Sequence, residues 1–152
     1  MRYGMFTISR KDIEEFKEIL PEYVVANCNK KGVFMLGATD EDMCLMGLTQ
    51  FFVGMLPGRC VITDIVYVYV FDEYRKLGVA SCMIREVHKI MKKSGVEKCL
   101  TFLEKKQSEQ QVFRLNGYIF MKPEKDMIGY MNEVHDGIVV DYVDQGVYYV
   151  NR

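Results

Sequence analysis

Short apolar runs alternate with stretches of helical periodicity along the whole chain. Runs rich in β-branched and aromatic residues predict strands at 3–8, 33–36, 44–53, 60–71, 99–103 and 118–121. The run at 60–71 is almost continuously apolar, which is typical of a central strand covered on both faces. Two further runs, 138–143 and 147–150, predict a closing hairpin whose Gly-containing turn is 144–146. The stretch 124–136 shows neither period, and we assign it no element.

Two of the predicted helices are marked by capping signals. The first begins at an S-x-x-D signal at 9–12 and ends or bends at Pro21, because proline disfavours a helical backbone in the residue before it. The other begins at a capping box at 108–111 and ends at Gly117, since glycine readily adopts the left-handed conformation that closes a helix.

The longest predicted helix connects two of the strands. It follows Gly78 and ends at Gly95, and apolar residues form a stripe along one face at positions 79, 83, 87 and 90. A crossover helix between the strands 60–71 and 99–103 implies that these strands pair in parallel. The order of elements therefore predicts an α+β fold (α/β, three layers), in which a mixed, mostly antiparallel central sheet contains one β-α-β crossover.

Length and composition agree with a single globular domain over residues 1–152. The apolar fraction of 49% and the charged fraction of 27% exclude a disordered chain. The formal net charge of -1 excludes a global basic field, so we expect no nucleic-acid partner. No apolar stretch approaches the roughly 20 residues of a membrane span, so we expect no membrane association.

The cysteines and histidines indicate reduced thiols and no metal. The five cysteines include no C-x-x-C pair and follow no apolar signal segment, which favours a cytoplasmic location. His88 falls within the longest helix, where a surface or partly buried side chain is expected, and His135 lies in the unassigned stretch. Neither has a second His, Cys or carboxylate grouping at ligand spacing, so we predict no metal site.

The segment 69–80 leads from the central strand through a charged loop into the longest helix. The first backbone N–H groups of a helix lack intrahelical partners and carry partial positive charge, so a pyrophosphate can bind there. Gly78 lets the backbone approach such an anion, and Arg75 and Lys76 add positive charge. The alternative is that these two cations are only solvated loop residues.

This loop resembles the acyl-CoA signature of the GCN5-related N-acetyltransferase (GNAT) superfamily, which reads Arg/Gln-x-x-Gly-x-Gly/Ala. The matching residues are Arg75, Lys76, Leu77, Gly78, Val79 and Ala80. The predicted elements follow the family order from about 33 to 121. The resemblance implies the GNAT acyl-CoA N-acyltransferase fold, with a splayed pair of parallel strands and acetyl-CoA as cosubstrate.

The resemblance also implies roles for individual residues. The pantetheine arm would hydrogen-bond the backbone of Val68 and Val70, and the pyrophosphate would bind amides between Lys76 and Ala80. Asp64 precedes the first residue of the signature by eleven positions, where histone-acetylating members of the family carry a glutamate general base.

Asp64 is accordingly the candidate general base. By strand alternation it would share a face with Val66, Val68 and Val70. The alternative is an aspartate at a frayed or solvated part of the strand, with no part in catalysis. The family's common general acid is a tyrosine in the helix after the second parallel strand, and that position is Phe113 here. A phenyl ring cannot protonate a thiolate, so the general acid is unassigned.

Two functional hypotheses follow. The first is an N-acetyltransferase in which an unidentified amine attacks acetyl-CoA directly in a ternary complex. The second, motivated by Phe113, is an acyl-CoA-binding sensing or interaction module with little turnover; a structural domain whose loop matches by accident is a third. The segments expected to select the acceptor are 21–31, 39–43 and the tail after Met121. A homodimer through edge strands or the closing hairpin is also compatible with this pattern.

Overall fold

The computed structural model describes residues 4–8, 10–55, 61–105, 108–135 and 140–150. The strands are β1 Gly4–Thr7, β2 Val33–Thr39, β3 Leu45–Met55, β4 Val61–Val70, β5 Lys98–Glu104, β6 Ile119–Met121 and β7 Val143–Tyr149. The helices are α1 Arg10–Ile13, α2 Glu22–Asn27, α3 Val79–Lys93, α4 Glu109–Leu115 and α5 Lys125–Val134. Residues that figure in the predictions but lie outside the described ones are Tyr3, Ser9, Cys60 and residues 136–139 and 151–152.

The strands form one mixed sheet with the order β1-β2-β3-β4-β5-β7-β6 in the described part of the chain. Every neighbouring pair is antiparallel except β4 and β5, which are parallel and are connected by α3. The predicted sheet and its β-α-β crossover are therefore confirmed.

Helices cover both faces of the sheet. On one face, Ile84 of α3 and Phe113 of α4 pack in a cluster with Ile65 of β4. On the other face, Val24 of α2 packs with apolar residues of β2 and β3, and Met131 of α5 packs with residues of β4, β5 and β7. None of the helices in the described residues combines the length and the apolar composition that crossing a bilayer requires.

A β-bulge at Val66 reverses the side-chain alternation along β4. Tyr67 pairs with Gln50 of β3, but Ile65 pairs with the very next residue of β3, so Val66 has no partner of its own. As a result Ile65 and Val68 pack in the same cluster under α3, and Asp64 lies on the opposite face, towards α5. The prediction that Asp64 shares a face with Val68 and Val70 is wrong, because a period of two holds only in an uninterrupted strand.

The prediction of a closing hairpin is also wrong. Residues 143–149 form the continuous strand β7, between β5 and β6, and residues 140–142 form a short 3-10 helix. The glycine that suggested a turn serves close packing instead, because a Cβ at Gly146 would lie 2.8 Å from Thr101 Cγ2 and 2.9 Å from Phe120 Cε1. The stretch without a predicted element contains α5, which lies in the connection between β6 and β7.

The first predicted helix is interrupted. Residues 10–13 form α1 and Glu14–Phe16 form a 3-10 helix, and a further helix, α2, begins immediately after Pro21. Proline has a fixed φ close to the helical value and lacks a backbone N–H. Because the first N–H groups of a helix have no acceptor within it, proline suits a helix start as well as a helix end. This second helix supplies Asn27 to the polar contacts around β4.

Candidate active site

The parallel strands β4 and β5 separate halfway along their length. They pair only where Ile62–Ile65 face Lys98–Thr101, although β4 continues to Val70 and β5 continues to Glu104. Beyond the last pair, β5 pairs with β7 and no longer with β4, so β4 and β5 leave a gap between them. This separation is the splayed pair that the family resemblance implies.

A cleft of about 510 Å³ opens along the separated part of β4. Its lining comes from β4, the following loop, α3 and α4: Tyr67, Val68, Tyr69, Val70, Arg75, Ala80, Ile84, Glu109, Val112 and Phe113. Sequence reasoning singles out five of these residues, Val68, Val70, Arg75, Ala80 and Phe113, and the fold brings them together. Asp64 does not line the cleft.

Lys76, Leu77 and Gly78 form the turn after the cleft residue Arg75, and Val79 begins α3 just before the cleft residue Ala80. Lys76 and Gly78 have positive φ, 66° and 80°, and Gly78 is the N-cap of α3. No side chain caps this helix start, and a Cβ at Gly78 would meet nothing within 4 Å. The first amides of α3 thus lack a side-chain cap in the described residues, and an uncapped helix start of this kind favours an anion.

Arg75 holds the loop in shape. Its Nε donates to the carbonyl of Val70 at 3.1 Å, its Nη1 lies 2.9 Å from Asp72 Oδ1, and its guanidinium lies 5.9 Å from the centre of the Tyr69 ring. The predicted phosphate contact of Arg75 thus competes with an ion pair within the loop. Lys76 is exposed and has no such ion pair among the described residues.

The turn between β2 and β3 braces the loop from the side. Tyr74 Oη donates to Asp40 Oδ2 at 3.0 Å, which raises the pKa of Tyr74 to about 12. Asp40 Oδ1 accepts the backbone N–H groups of Asp42 and Cys44, and the Cys44 bond is the main cause of the lowered pKa of Asp40. Asp40, one of the acidic residues of this turn, thus stabilises the turn and its contact with the loop.

Asp64 is buried and paired with a histidine from the far end of the chain. Its side chain is 0% exposed, and its Oδ2 lies 2.7 Å from Nε2 of His135, whose side chain is 2% exposed. Oδ1 is buried and has no hydrogen-bond partner among the described residues. The alternative of a solvated aspartate is wrong, and no local pattern signals this pair because its members are 71 positions apart.

The second buried histidine lies on the other face of the sheet. His88, 8% exposed, has Nε2 2.8 Å from Tyr118 Oη and stacks on Tyr148 with ring centres 3.9 Å apart. Burial lowers the pKa of His88 to about 4 and raises the pKa of Tyr118 well above its ordinary value. The expected surface or partly buried placement of His88 is wrong, because α3 turns this residue under β7.

Phe113 combines a place in the cleft wall with a place in the core. It is 4% exposed and meets Tyr118 edge-on, with ring centres 5.0 Å apart.

The described residues contain no group of three His, Cys, Asp or Glu side chains arranged to hold a metal ion.

Comparison by sequence finds neither a family model nor a curated protein that matches the chain. Solved structures match it over nearly their whole length. A GNAT-family acetyltransferase from Staphylococcus aureus Mu50 has a TM-score of 0.71 at 13% identity, over 99% of this chain and 100% of that one. Arabidopsis thaliana NAA60 in complex with acetyl-CoA has a TM-score of 0.69 at 16% identity, over 99% and 100%.

A third neighbour is the PaiA N-acetyltransferase of Thermoplasma acidophilum in complex with coenzyme A, with a TM-score of 0.64 at 16% identity, over 98% of this chain and 99% of that one. At these identities the likenesses concern the fold. The chain has the fold of the GCN5-related N-acetyltransferase superfamily.

Proposed function

We propose that this protein is an N-acetyltransferase that transfers the acetyl group of acetyl-CoA to an amine within a ternary complex. The observation that carries the proposal is the cleft between the unpaired part of β4, α3 and α4, which reaches the start of α3, a helix without a side-chain cap in the described residues. An extended apolar arm with a phosphate end matches a cleft of this shape. The solved neighbours that hold acetyl-CoA or CoA support the same cosubstrate.

The pantetheine arm is proposed to lie along β4 beyond Ile65. There β4 has no parallel neighbour, so the backbone groups of Val68 and the N–H of Val70 are proposed to bind the arm, while the carbonyl of Val70 accepts from Arg75. The pyrophosphate is proposed to bind amides between Lys76 and Ala80, with Lys76 adding charge. Arg75 then contributes mainly by fixing the loop through Val70 and Asp72.

The proposed reaction is direct attack of the neutral amine on the thioester carbonyl. A nitrogen–carbon bond forms, the carbon–sulfur bond breaks with its electrons on sulfur, and the amine loses one proton, which leaves an amide and coenzyme A. Asp64 is proposed to accept that proton through a water molecule, because its Oδ1 is without a partner in the described residues. Asp64 pairs with Leu100 one position before the last paired residues of β4 and β5, and this position on the strand supports the proposed role.

A panel of amines tests the proposal although the acceptor is unidentified. The panel contains a polyamine, an arylalkylamine, an aminoglycoside, a peptide with a free N-terminus and a blocked peptide with one lysine. An enzyme is expected to release free thiol from acetyl-CoA and to form the acetylated product of at least one member, detected by mass.

A thermal melt, combined with the product assay, distinguishes the enzyme from an acyl-CoA-binding module. Saturation with CoA at about 100 times its dissociation constant stabilises a binding protein by about 2.7 kcal/mol. A shift of the melting temperature without any acetylated product would favour the sensing or interaction module, for which Phe113 at the usual acid position is the supporting observation. No shift with either acetyl-CoA or CoA would contradict both functions.

A further inference from the structure

The proposed reaction uses Asp64, and the structure places a second titratable group directly against it. The side chains of Asp64 and His135 are 0% and 2% exposed, and Oδ2 and Nε2 are 2.7 Å apart. A carboxylate withdrawn from water becomes protonated unless a hydrogen-bond donor or a positive charge stabilises its ionised form. Within the described part of the chain, the imidazole is the group that hydrogen-bonds to Asp64.

His135 is held by its own backbone, by the backbone of its neighbour and by a contact to its ring. Its backbone N–H donates to the carbonyl of Met131 at 2.9 Å, which attaches it to the end of α5. Phe102 of β5 meets the ring edge-on, with centres 5.4 Å apart. The preceding carbonyl, that of Val134, accepts the Nδ2–H of Asn27 at 2.8 Å, which joins the end of α5 to the end of α2. The imidazole is therefore held in place by parts of the chain that are remote from Asp64 in sequence.

The same buried region contains further polar groups. Asn27 also donates to Gln50 Oε1 at 3.2 Å, and Gln50 donates to the carbonyl of Val24 at 2.8 Å and to Cys28 Sγ at 3.4 Å. These contacts satisfy amide groups of α2 and β3 without engaging the carboxylate. Among the described residues, Asp64 thus takes its side-chain hydrogen bond from His135, while the amide groups of Asn27 and Gln50 bond to each other and to α2.

Other titratable groups near the pair are mainly of types that are neutral at neutral pH. Cys99 of β5 and Tyr118, just before β6, interact electrostatically with Asp64; burial raises the pKa of Cys99 to about 12 and that of Tyr118 well above its ordinary value. α5 contributes Tyr130, whose ring packs on the β3 residue opposite Asp64, and α2 contributes Cys28. The cation on this stretch of β5 is Lys98, two positions before the strand partner of Asp64 and half-buried.

We propose that His135 is a positioning residue that keeps Asp64 ionised by donating its Nε2–H to Oδ2, which leaves Oδ1 as the oxygen that takes the amine proton. The catalytic part of this inference rests on the proposed function. As the nitrogen–carbon bond forms, the proton passes through water to Oδ1, and it later leaves for the thiolate or for solvent. The imidazole keeps its Nε2 proton throughout this step.

Infrared spectroscopy at neutral pH tests the protonation of Asp64 without any acceptor. In His135→Ala the carboxyl group loses its donor, and we expect the carbonyl stretch of one protonated carboxylic acid, which disappears when Asp64→Asn is added to that variant. The band is expected to be absent from the native protein and from His135→Gln, since the glutamine amide can still donate. His88→Ala is the matched control, because it removes a buried histidine whose partner is a hydroxyl, and it should show no band.

Nitrogen NMR of the unmodified protein covers the case in which His135→Ala does not fold. The imidazole signals, assigned by their loss in His135→Gln, are expected to show a protonated Nε2. An unprotonated Nε2, or an ionised Asp64 in a folded His135→Ala, would overturn the inference.

The rate–pH profile connects the pair to catalysis once the panel yields an acceptor. The acidic limb is expected to move to higher pH by about one unit or more in His135→Ala and to return towards the native position in His135→Gln. An unmoved limb in His135→Ala would contradict the positioning role. Failure of the amine panel would instead contradict the proposed function and leave the infrared result unchanged, so the two failures are distinguishable.

Discussion

Two buried histidines of this protein face different partners, and the partner decides what each can do. His135 meets a carboxylate, so its donor can stabilise a negative charge inside the protein. His88 meets the hydroxyl of Tyr118 and the ring of Tyr148, so burial favours its neutral form. Only the first of these pairs lies on the face of the sheet that carries the candidate base.

Replacement of Asp64 by asparagine tests its proposed role as the general base. Asn keeps the shape of the side chain but cannot take a proton, so kcat for an accepted amine should fall by about 100-fold or more. The dissociation constant of acetyl-CoA, measured by calorimetry, should change little, because Asp64 does not line the cleft.

Asp126→Asn is the control for this substitution. Asp126 is exposed in the first turn of α5, so the same chemical change there should leave kcat unaltered. A native kcat in Asp64→Asn would remove Asp64 from the mechanism.

The free energy of unfolding should depend on pH through the protonation of His88. The folded protein holds its pKa at about 4, below the ordinary 6.5, so the unfolded chain binds this proton more readily. Stability from this group is complete above about pH 6.5 and is lost as the pH falls towards 4, by about 2 to 3 kcal/mol. Urea unfolding at pH 7 and pH 4.5 should therefore show a larger loss for the native protein than for His88→Gln; equal losses would contradict the assignment.

At the scale of elements, the sequence predicts best where the signals are local. The crossover from β4 through α3 to β5 follows from an apolar run, a helical stripe and the bounding glycines Gly78 and Gly95. The cleft follows from the same local features, because the loop after β4 and the start of α3 are adjacent in sequence. The resemblance to a known loop signature then indicates which residues meet there.

The missed features depend on contacts between distant parts of the chain. The bulge at Val66 appears only in the pairing of β4 with β3, and it moves Asp64 to the other face. Gly146 has the sequence context of a turn, but close approach of Thr101 and Phe120 is what requires a glycine there. His135 gains its importance from a carboxylate that no periodicity connects to it.

A pair of glycine substitutions tests the anion site at the start of α3. Gly78 and Gly95 lie at opposite ends of this helix, have φ of 80° and 73°, and have open space where a Cβ would go. Alanine should therefore destabilise the fold by a similar amount at each, about 1 kcal/mol. At Gly78 the methyl group also enters the proposed pyrophosphate position, so the affinity for CoA should fall roughly tenfold, or about 1.4 kcal/mol.

Calorimetry on the two variants gives the outcome. Gly95→Ala is expected to bind CoA like the native protein, since its end of the helix is remote from the cleft. Equal affinities in the two variants would contradict a phosphate site at Gly78.

The whole molecule places the proposed site around one strand. β4 lies in the middle of the sheet, with the cleft between its free end, α3 and α4, and with the buried Asp64–His135 pair on the face covered by α5. The bulge at Val66 lies where β4 and β5 part, and it turns the side chains of Asp64 and Val68 to opposite faces of the sheet. The proposed proton transfer therefore passes from the cleft to the opposite face at this point, which is why it includes a water molecule.

A crystal structure with acetyl-CoA bound is the most direct test of the proposed acetyl transfer. We predict pantetheine along Val68 and Val70 between β4 and α4, pyrophosphate on the amides from Lys76 to Ala80, and the thioester carbonyl beside the bulge, within one water of Asp64 Oδ1. A second, apolar cavity of about 310 Å³ lies next to Phe34, on the α3 side of the sheet. Acetyl-CoA bound there, or in the cleft with its thioester remote from Asp64, would contradict the proposed site.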